Sequence, residues 1–319
     1  MAVPARGVAG SDPGLTPYSD RVAQRYPTLV AALSLLWGAS YLFIKVAGRD
    51  IQPATMMLIR VVVAGAALAL LLARRGELRG LLEAPRGAYV LGLFNSAIPF
   101  TLIAWGERHI SSGLAAVANA SVPIFVALLA VRFRPDERPR GLRALGVFLG
   151  IGGVALLTGV SPGGGWLGVA GTAAVVLASI SYAISTLYGQ HLVRGVTGPV
   201  LSTTALVGAT AVMLPFGLAQ ASSSRFTWPA LGCVLALALL GTAAAQVVWF
   251  RLLRRYGAAR ASLVTYLLPA TALVYGVVLL HERVTGAELG GFALILGGVA
   301  LGSGAVRLPS RSLGVTQAP

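Results

Sequence analysis

Glu282-Arg283-Val284-Thr285-Gly286 opens an apolar run that ends in Gly297-Gly298-Val299-Ala300-Leu301, and 145 positions earlier Glu137-Arg138-Pro139-Arg140-Gly141 opens one that ends in Gly152-Gly153-Val154-Ala155-Leu156. The chain therefore contains an internal repeat. Working outward, Val90-Leu91 to Trp105 is matched by Val234-Leu235 to Trp249 at an offset of 144, Pro123 by Pro269 at 146, and Ser40-Tyr41 by Ser181-Tyr182 at 141. The repeat spans most of each half. If each half holds an odd number of spanning helices, the second copy is inserted upside down, the arrangement by which many secondary transporters open alternately to either side.

Composition requires a membrane. Of 319 residues, 56% are apolar and 11% charged, with a mean hydropathy of +0.80, well outside the range of soluble chains. Neither half contains a polar stretch long enough for a separate domain, so the two copies read as repeats of one bundle. The single cysteine, Cys233, lies in an apolar run, which excludes a disulfide or a cysteine metal site within one chain. Residues 1–27 are polar and lack the small-residue cleavage site of a secretory signal, so the first apolar run is expected to remain as an anchor. Ten segments are long enough to cross a bilayer: about 28–46, 54–73, 88–106, 113–131, 144–160, 166–188, 199–220, 229–250, 261–280 and 286–305. The expected fold is all-α, with ten transmembrane helices in two inverted five-helix repeats, 28–160 and 166–305. Short tails, 1–27 and 306–319, flank them.

Arginine sets the orientation, because basic residues stay in the cytoplasm during insertion. The two tails and the links after the second, fourth, sixth and eighth segments hold 19 of the 25 basic residues, while the alternate links hold 4. Both termini are expected in the cytoplasm of a multi-pass plasma-membrane protein, a bacterial inner membrane, with Glu137 inside and Glu282 outside. The net charge of +15 is thus spread over cytoplasmic links, where anionic lipid headgroups are the natural partners. A nucleic-acid partner is not expected.

The two remaining cations lie within spans. Lys45, the only lysine, ends the first run, and Arg60 sits seven residues into the second. A cation at the middle of a spanning helix costs roughly 2.5 to 3.5 kcal/mol, so it takes a partner, a wet cavity or an escape to the interface. Lys45 can snorkel to the outer headgroups or face a cavity. No acidic residue falls inside the core of a span, so Arg60 is expected to line an aqueous cavity or to meet a cluster of carbonyls and hydroxyls.

Other polar and aromatic residues could line the same space. Trp37, Tyr41 and Lys45 follow at i, i+4 and i+8 on one face. Asn95 and Pro99 share a face of the third segment. Asn119, Ser121 and Pro123 cluster in the fourth, and Thr265, Tyr266 and Pro269 in the ninth. A proline frees a backbone carbonyl, so Pro99, Pro123 and Pro269 are candidate helix breaks or gates. Tyr182 with Thr186 and Gln246 add hydrogen-bonding groups, and Trp105 adds a wall. Taken singly, each is as well explained by helix packing.

Glycines crowd the fifth and tenth segments, which read as scaffold or as a face for a second copy of the chain. Thr285 and Glu288 have the spacing of a capping box. Glu107, Glu282 and Glu288 are the acids near the outer mouth and weak candidates for proton coupling, and His109, His191 and His281 fall in links. The sequence has no metal-ligand spacing, Walker loop, nucleophile elbow or paired intramembrane carboxylate, so no enzyme, cofactor or metal is expected.

Trp37-Gly38-Ala39-Ser40-Tyr41 through Lys45, Arg60 early in the second span, the prolines of the fourth and ninth segments, and Glu282-Arg283 through Gly297-Gly298-Val299 together resemble the EamA branch of the drug/metabolite transporter superfamily. The resemblance covers about residues 28–305. It departs at Val61, where many members carry an aromatic residue. It implies two inverted repeats around a central cavity and the movement of small metabolites, often export of amino acids or their relatives. The substrate site would then comprise Arg60, Lys45, Trp37, Tyr41, Asn95, Trp105, Asn119, Tyr182, Gln246 and Tyr266. A sugar-phosphate or drug carrier of the same fold is the alternative, and a membrane-embedded lipid-handling protein is the alternative of another class. A coupling proton or counter-substrate and a homodimer partner remain open.

Overall fold

The computed structural model describes residues 16–133, 141–159, 165–192, 195–261 and 264–302. The first copy of the Glu-Arg-Pro motif at 137–140, the link at 161–164 and the chain ends fall outside them. Among the described residues every regular element is helical, with no strand.

In the first half, α1 (Thr16–Ala47) and α2 (Pro53–Arg74) are long helices. A third apolar segment follows the short α3 (Arg79–Glu83) and runs as α4 (Arg86–Gly92), a π-helical turn (Leu93–Ala97) and α5 (Ile98–Gly106). The fourth is α6 (Ser112–Asn119) followed by α7 (Val122–Phe133), and the fifth is α8 (Leu142–Gly159). The second half repeats the order with α9 (Gly165–Leu192) and α10 (Gly198–Ala221). It continues through α11 (Trp228–Ala238), a second π turn (Leu239–Ala244) and α12 (Ala245–Tyr256), then the short α13 (Ala258–Ala261), α14 (Val264–Leu280) and α15 (Gly286–Gly302). Seven of these segments are long and apolar enough to cross a membrane, and three more apolar helices, at Ala144–Leu157, Val264–Leu280 and Gly286–Leu301, are shorter.

The helices start and stop for local reasons. Pro53 and Pro199 sit in the first turns of α2 and α10, where the missing N–H costs nothing. Ser111 Oγ accepts from Leu114 N at the start of α6. Glu288 and Thr285 form the expected capping box: Thr285 N donates to Glu288 Oε2 at 2.7 Å and Glu288 N to Thr285 Oγ1 at 3.2 Å. The two π turns begin 146 positions apart, at Leu93 and Leu239, so the repeat extends to this irregularity.

Helix packing follows a two-fold pattern. Helix α1 packs on α14, and its counterpart α9 packs on α6 and α7. Likewise α1 packs on α11 and α12, and α9 on α5. Helix α2 packs on α11 as α10 packs on α4, while α2 with α10 and α8 with α15 pair across the halves. The α8–α15 seam is closed by glycine: a Cβ on Gly298 would stand 2.6 Å from both Gly146 O and Gly150 N. Those two helices are the glycine-thinned pair of the sequence, and here they buttress one another.

Four of the odd-numbered links meet at one end. Thr227 Oγ1 donates to Asp50 Oδ2 at 2.7 Å, Gln52 N to Ser224 Oγ at 3.0 Å, and an Arg108 Nη1–H to Gln52 Oε1. Glu282 accepts from Ser112 N at 2.9 Å and Ser112 Oγ at 2.7 Å. His281, with φ +56, takes the left-handed position that ends α14. That turn lets Glu282 N donate back to Gly276 O at 2.9 Å and aims the Glu282 carboxylate at the start of α6.

Candidate substrate site

Arg60 lies on the buried face of α2, with 6% of its surface exposed. Its Nε–H donates to Thr242 Oγ1 at 2.9 Å, its Nη1 reaches Met57 Sδ at 3.8 Å, and its Cζ stands 3.6 Å above the centre of the Phe100 ring. A guanidinium has five N–H donors. Among the described residues one oxygen and one sulfur accept from it, so most of its donor capacity stays uncommitted. A cation held over an aromatic face in a dry setting gains about 2 kcal/mol, enough to offset much of the cost of placing it within a span. The π turns flank this site: Thr242 sits in the second, and Phe100 lies just past the first. A π turn wraps five residues per hydrogen bond and commonly marks a functional position.

Tyr41 and Tyr182, the repeat partners from α1 and α9, both lie within electrostatic reach of Arg60 and of each other. The Tyr41 hydroxyl accepts from Asn119 Nδ2 at 2.9 Å, and Asn119 Oδ1 accepts from Ser179 Oγ at 3.2 Å. A polar string therefore runs from α1 through the end of α6 to α9. Asn119 is also where the fourth segment breaks. Residues 120 and 121 separate α6 from α7, and Pro123, in the first turn of α7, cannot donate to the preceding helix. Pro269 behaves differently, because α14 continues through it. Pro99 follows the first π turn and lies in the first turn of α5.

Lys45 is anchored to the backbone of a neighbouring turn. Its Nζ donates to the carbonyls of Glu107 at 2.5 Å and Ile110 at 2.6 Å, tying α1 to the turn after α5. With Arg49, Glu107 and Arg108 it lines a cleft of about 260 Å³. Glu107 is buried, 1% exposed, and lies close enough to Arg60 and Lys45 to feel both charges. Read as a residue of an outer link, it is instead the acidic neighbour that Arg60 lacks within the spans.

The other candidates disperse. Trp37 packs on Trp249, ring centres 5.5 Å apart, in a separate apolar cluster of α1, α12 and α14, so the Trp37-Tyr41-Lys45 stripe serves three different surroundings. Trp105 is 36% exposed and meets the His109 ring in a tilted contact, centres 4.7 Å apart. Asn95 Oδ1 accepts from Ser185 Oγ at 3.2 Å, a contact between the first π turn and α9. Tyr266 packs against the main core, and Gln246 is partly buried in α12. Phe100 and Thr242, which hold Arg60, are contacts that sequence reasoning did not select, and Glu107 was named there only among the outer acids as a weak candidate for proton coupling.

A helical bundle of two membrane-embedded repeats, with a buried cation held between them, defines a transporter-class fold. The model of the EamA-like transporter family matches residues 25–159 and 169–303, and the chain belongs to that family. It is similar to an uncharacterized transporter of Archaeoglobus fulgidus, 27% identical over 85% of this chain and 96% of the relative. It is also similar to the uncharacterized inner membrane transporter YedA of Escherichia coli K12, 27% identical over 85% of this chain and 88% of the relative. A probable amino-acid metabolite efflux pump of Escherichia coli K12 is 24% identical over 85% of this chain and 92% of its own length. A solved crystal structure of 21% identity shares the fold, with a TM-score of 0.63 over 88% of this chain and 97% of that one.

Proposed function

We propose that the protein exports small carboxylate-bearing metabolites, amino acids or their relatives, by alternating access. Its ten crossings form two inverted repeats, with both termini in the cytoplasm. The observation that carries this reading is the buried Arg60 guanidinium, fixed at Nε by Thr242 and on one face by Phe100, with its remaining donors uncommitted. A carboxylate matches such a donor edge in two-point geometry. Tyr41, Tyr182 and Asn119 supply polar walls beside it. The similarity to a probable amino-acid metabolite efflux pump agrees with this choice of cargo. Millimolar binding, about 4 kcal/mol, is enough for a carrier that must release what it binds.

The test is metabolite profiling of medium from cells that express the protein or its Arg60→Ala variant after loading with amino acids and dipeptides. A carboxylate-bearing compound enriched only by the unmodified protein supports the reading. Equal enrichment by a membrane-inserted Arg60→Ala protein defeats the site assignment. A phosphorylated sugar is the second reading, favoured by the cluster of Lys45, Arg49 and Arg108 around one cleft, and would appear in the same profiles.

A further inference from the structure

Among the described residues, the two carboxyl oxygens of Glu107 are the buried side-chain polar atoms that lack a hydrogen-bond partner. Such a group is expensive as an anion and tends to take a proton instead. The nearest ammonium makes no hydrogen bond to it: two of the three Lys45 Nζ–H donors go to the backbone carbonyls of Glu107 and Ile110.

The groups facing Glu107 pull in opposite directions. Lys45 from α1 and Arg60 from α2 favour the carboxylate, while Glu282, between α14 and α15, disfavours it. Arg49, just past α1, and Arg108, the next residue in the chain, line the same cleft. Glu107 stands one residue beyond the third spanning segment. Burial outweighs these neighbours and holds its carboxyl well above the usual carboxylate range, with Lys45 opposing. Both protonation states therefore have something to recommend them, and a substrate anion arriving between Arg60 and Lys45 would decide.

The geometry points to Glu107 as the proton carrier of the transport cycle: its carboxylate balances Arg60 and Lys45 while the site is empty, and it takes one proton from the cleft when a substrate carboxylate arrives, so that proton and anion cross together. The step adds one proton from water to one carboxylate oxygen and oxidises nothing. The charge beside the two cations is conserved, since one anion replaces another. This inference rests on the reading of Arg60 as the anchor of an anionic group. Linkage then makes apparent affinity for the anion fall about tenfold per pH unit above the titration of Glu107.

Infrared difference spectra of the purified full-length protein in lipid, titrated with pH, read the carboxylic-acid C=O stretch without any substrate. A band that titrates above the ordinary carboxylate range, disappears in Glu107→Gln and survives in Glu107→Asp is the expected result. A band in that range unchanged in Glu107→Gln, or no band above the ordinary carboxylate range in the unmodified protein, overturns the proposal. In vesicles loaded with radiolabelled L-amino acids and a trapped pH dye, the unmodified protein should release label and protons together. Glu107→Gln, held as the neutral form, should still exchange label for external amino acid but lose net efflux by about tenfold, the cost of one missing proton-linked step. Net efflux with unchanged pH dependence in that variant also overturns the proposal. If the unmodified protein moves none of these amino acids, the cargo reading fails, and the infrared titration still decides the role of Glu107.

Discussion

Arg60 of α2 donates its Nε–H to Thr242 Oγ1 of the second π turn at 2.9 Å, joining the two halves of the chain across 182 positions. The bond aims the guanidinium, because a planar fork fixed at Nε leaves its two terminal nitrogens pointing the other way.

Replacing Thr242 by Val keeps the shape and removes the acceptor. A buried charged donor left without its partner costs about 1–3 kcal/mol, so thermal unfolding of the purified protein should move down by several degrees. Thr242→Ser, which restores the hydroxyl, should recover most of that loss.

Phe100 supplies the face on which Arg60 rests. Phe100→Leu keeps the volume roughly constant but removes the ring, at about 1–2 kcal/mol. Apparent transport affinity, measured from concentration dependence in vesicles, should weaken by about tenfold or somewhat more. Phe100→Tyr should stay close to the unmodified value.

Gly92 of α4 faces the backbone of α10 so closely that an added Cβ would stand 1.9 Å from Ala205 O. Gly92→Ala should therefore separate α4 from α10 and destabilise by about 1–3 kcal/mol or more. Gly152 of α8 is the control, since a Cβ there meets nothing within 4 Å. Gly152→Ala should be neutral or stabilising by up to about 1 kcal/mol. Denaturation midpoints of the two variants should move apart.

The expected orientation is open to chemical labelling, because Cys233→Ser yields a cysteine-free chain. A cysteine placed at Gly76, between α2 and α3, should react with a membrane-impermeant maleimide only after the cells are opened. One placed at Ser223, between α10 and α11, should react in intact cells. The reverse pattern would invert the topology.

The apolar segments of the fold were legible because a spanning helix must satisfy its own backbone and show apolar side chains outward. The ends were less so. Helix α12 runs on to Tyr256 past Arg251, Arg254 and Arg255, since arginine is a good helix former and hydropathy marks the bilayer, not the helix. The π turns were invisible, because a shift in backbone hydrogen-bond register leaves no residue signature. Arg60 could be singled out by charge alone, and the Tyr41–Tyr182 pair was visible as a repeat match, but periodicity gives direction around a helix without depth or neighbour. So Trp37, Tyr41 and Lys45 shared a face on paper yet meet Trp249, Asn119 and two carbonyls. Sequence placed Glu107 near the outer mouth, because it follows Gly106 at the end of an apolar run, but gave no sign of its burial, which comes from tertiary packing.

The near-symmetry of the bundle stops at its charge. Helices α2 and α10 are counterparts packed on each other, yet α2 carries Arg60 and α10 carries no charged residue at all. On the proposed reading, a cargo anion would meet unlike walls when approached from the two sides of the membrane, and its residence on each side would differ. Microscopic reversibility confines that difference to rates: it can make loading quick on one face and unloading quick on the other, but it cannot by itself concentrate anything. The final distribution of cargo would belong to whatever gradient the carrier is geared to, and Arg60 would set only how fast that balance is reached.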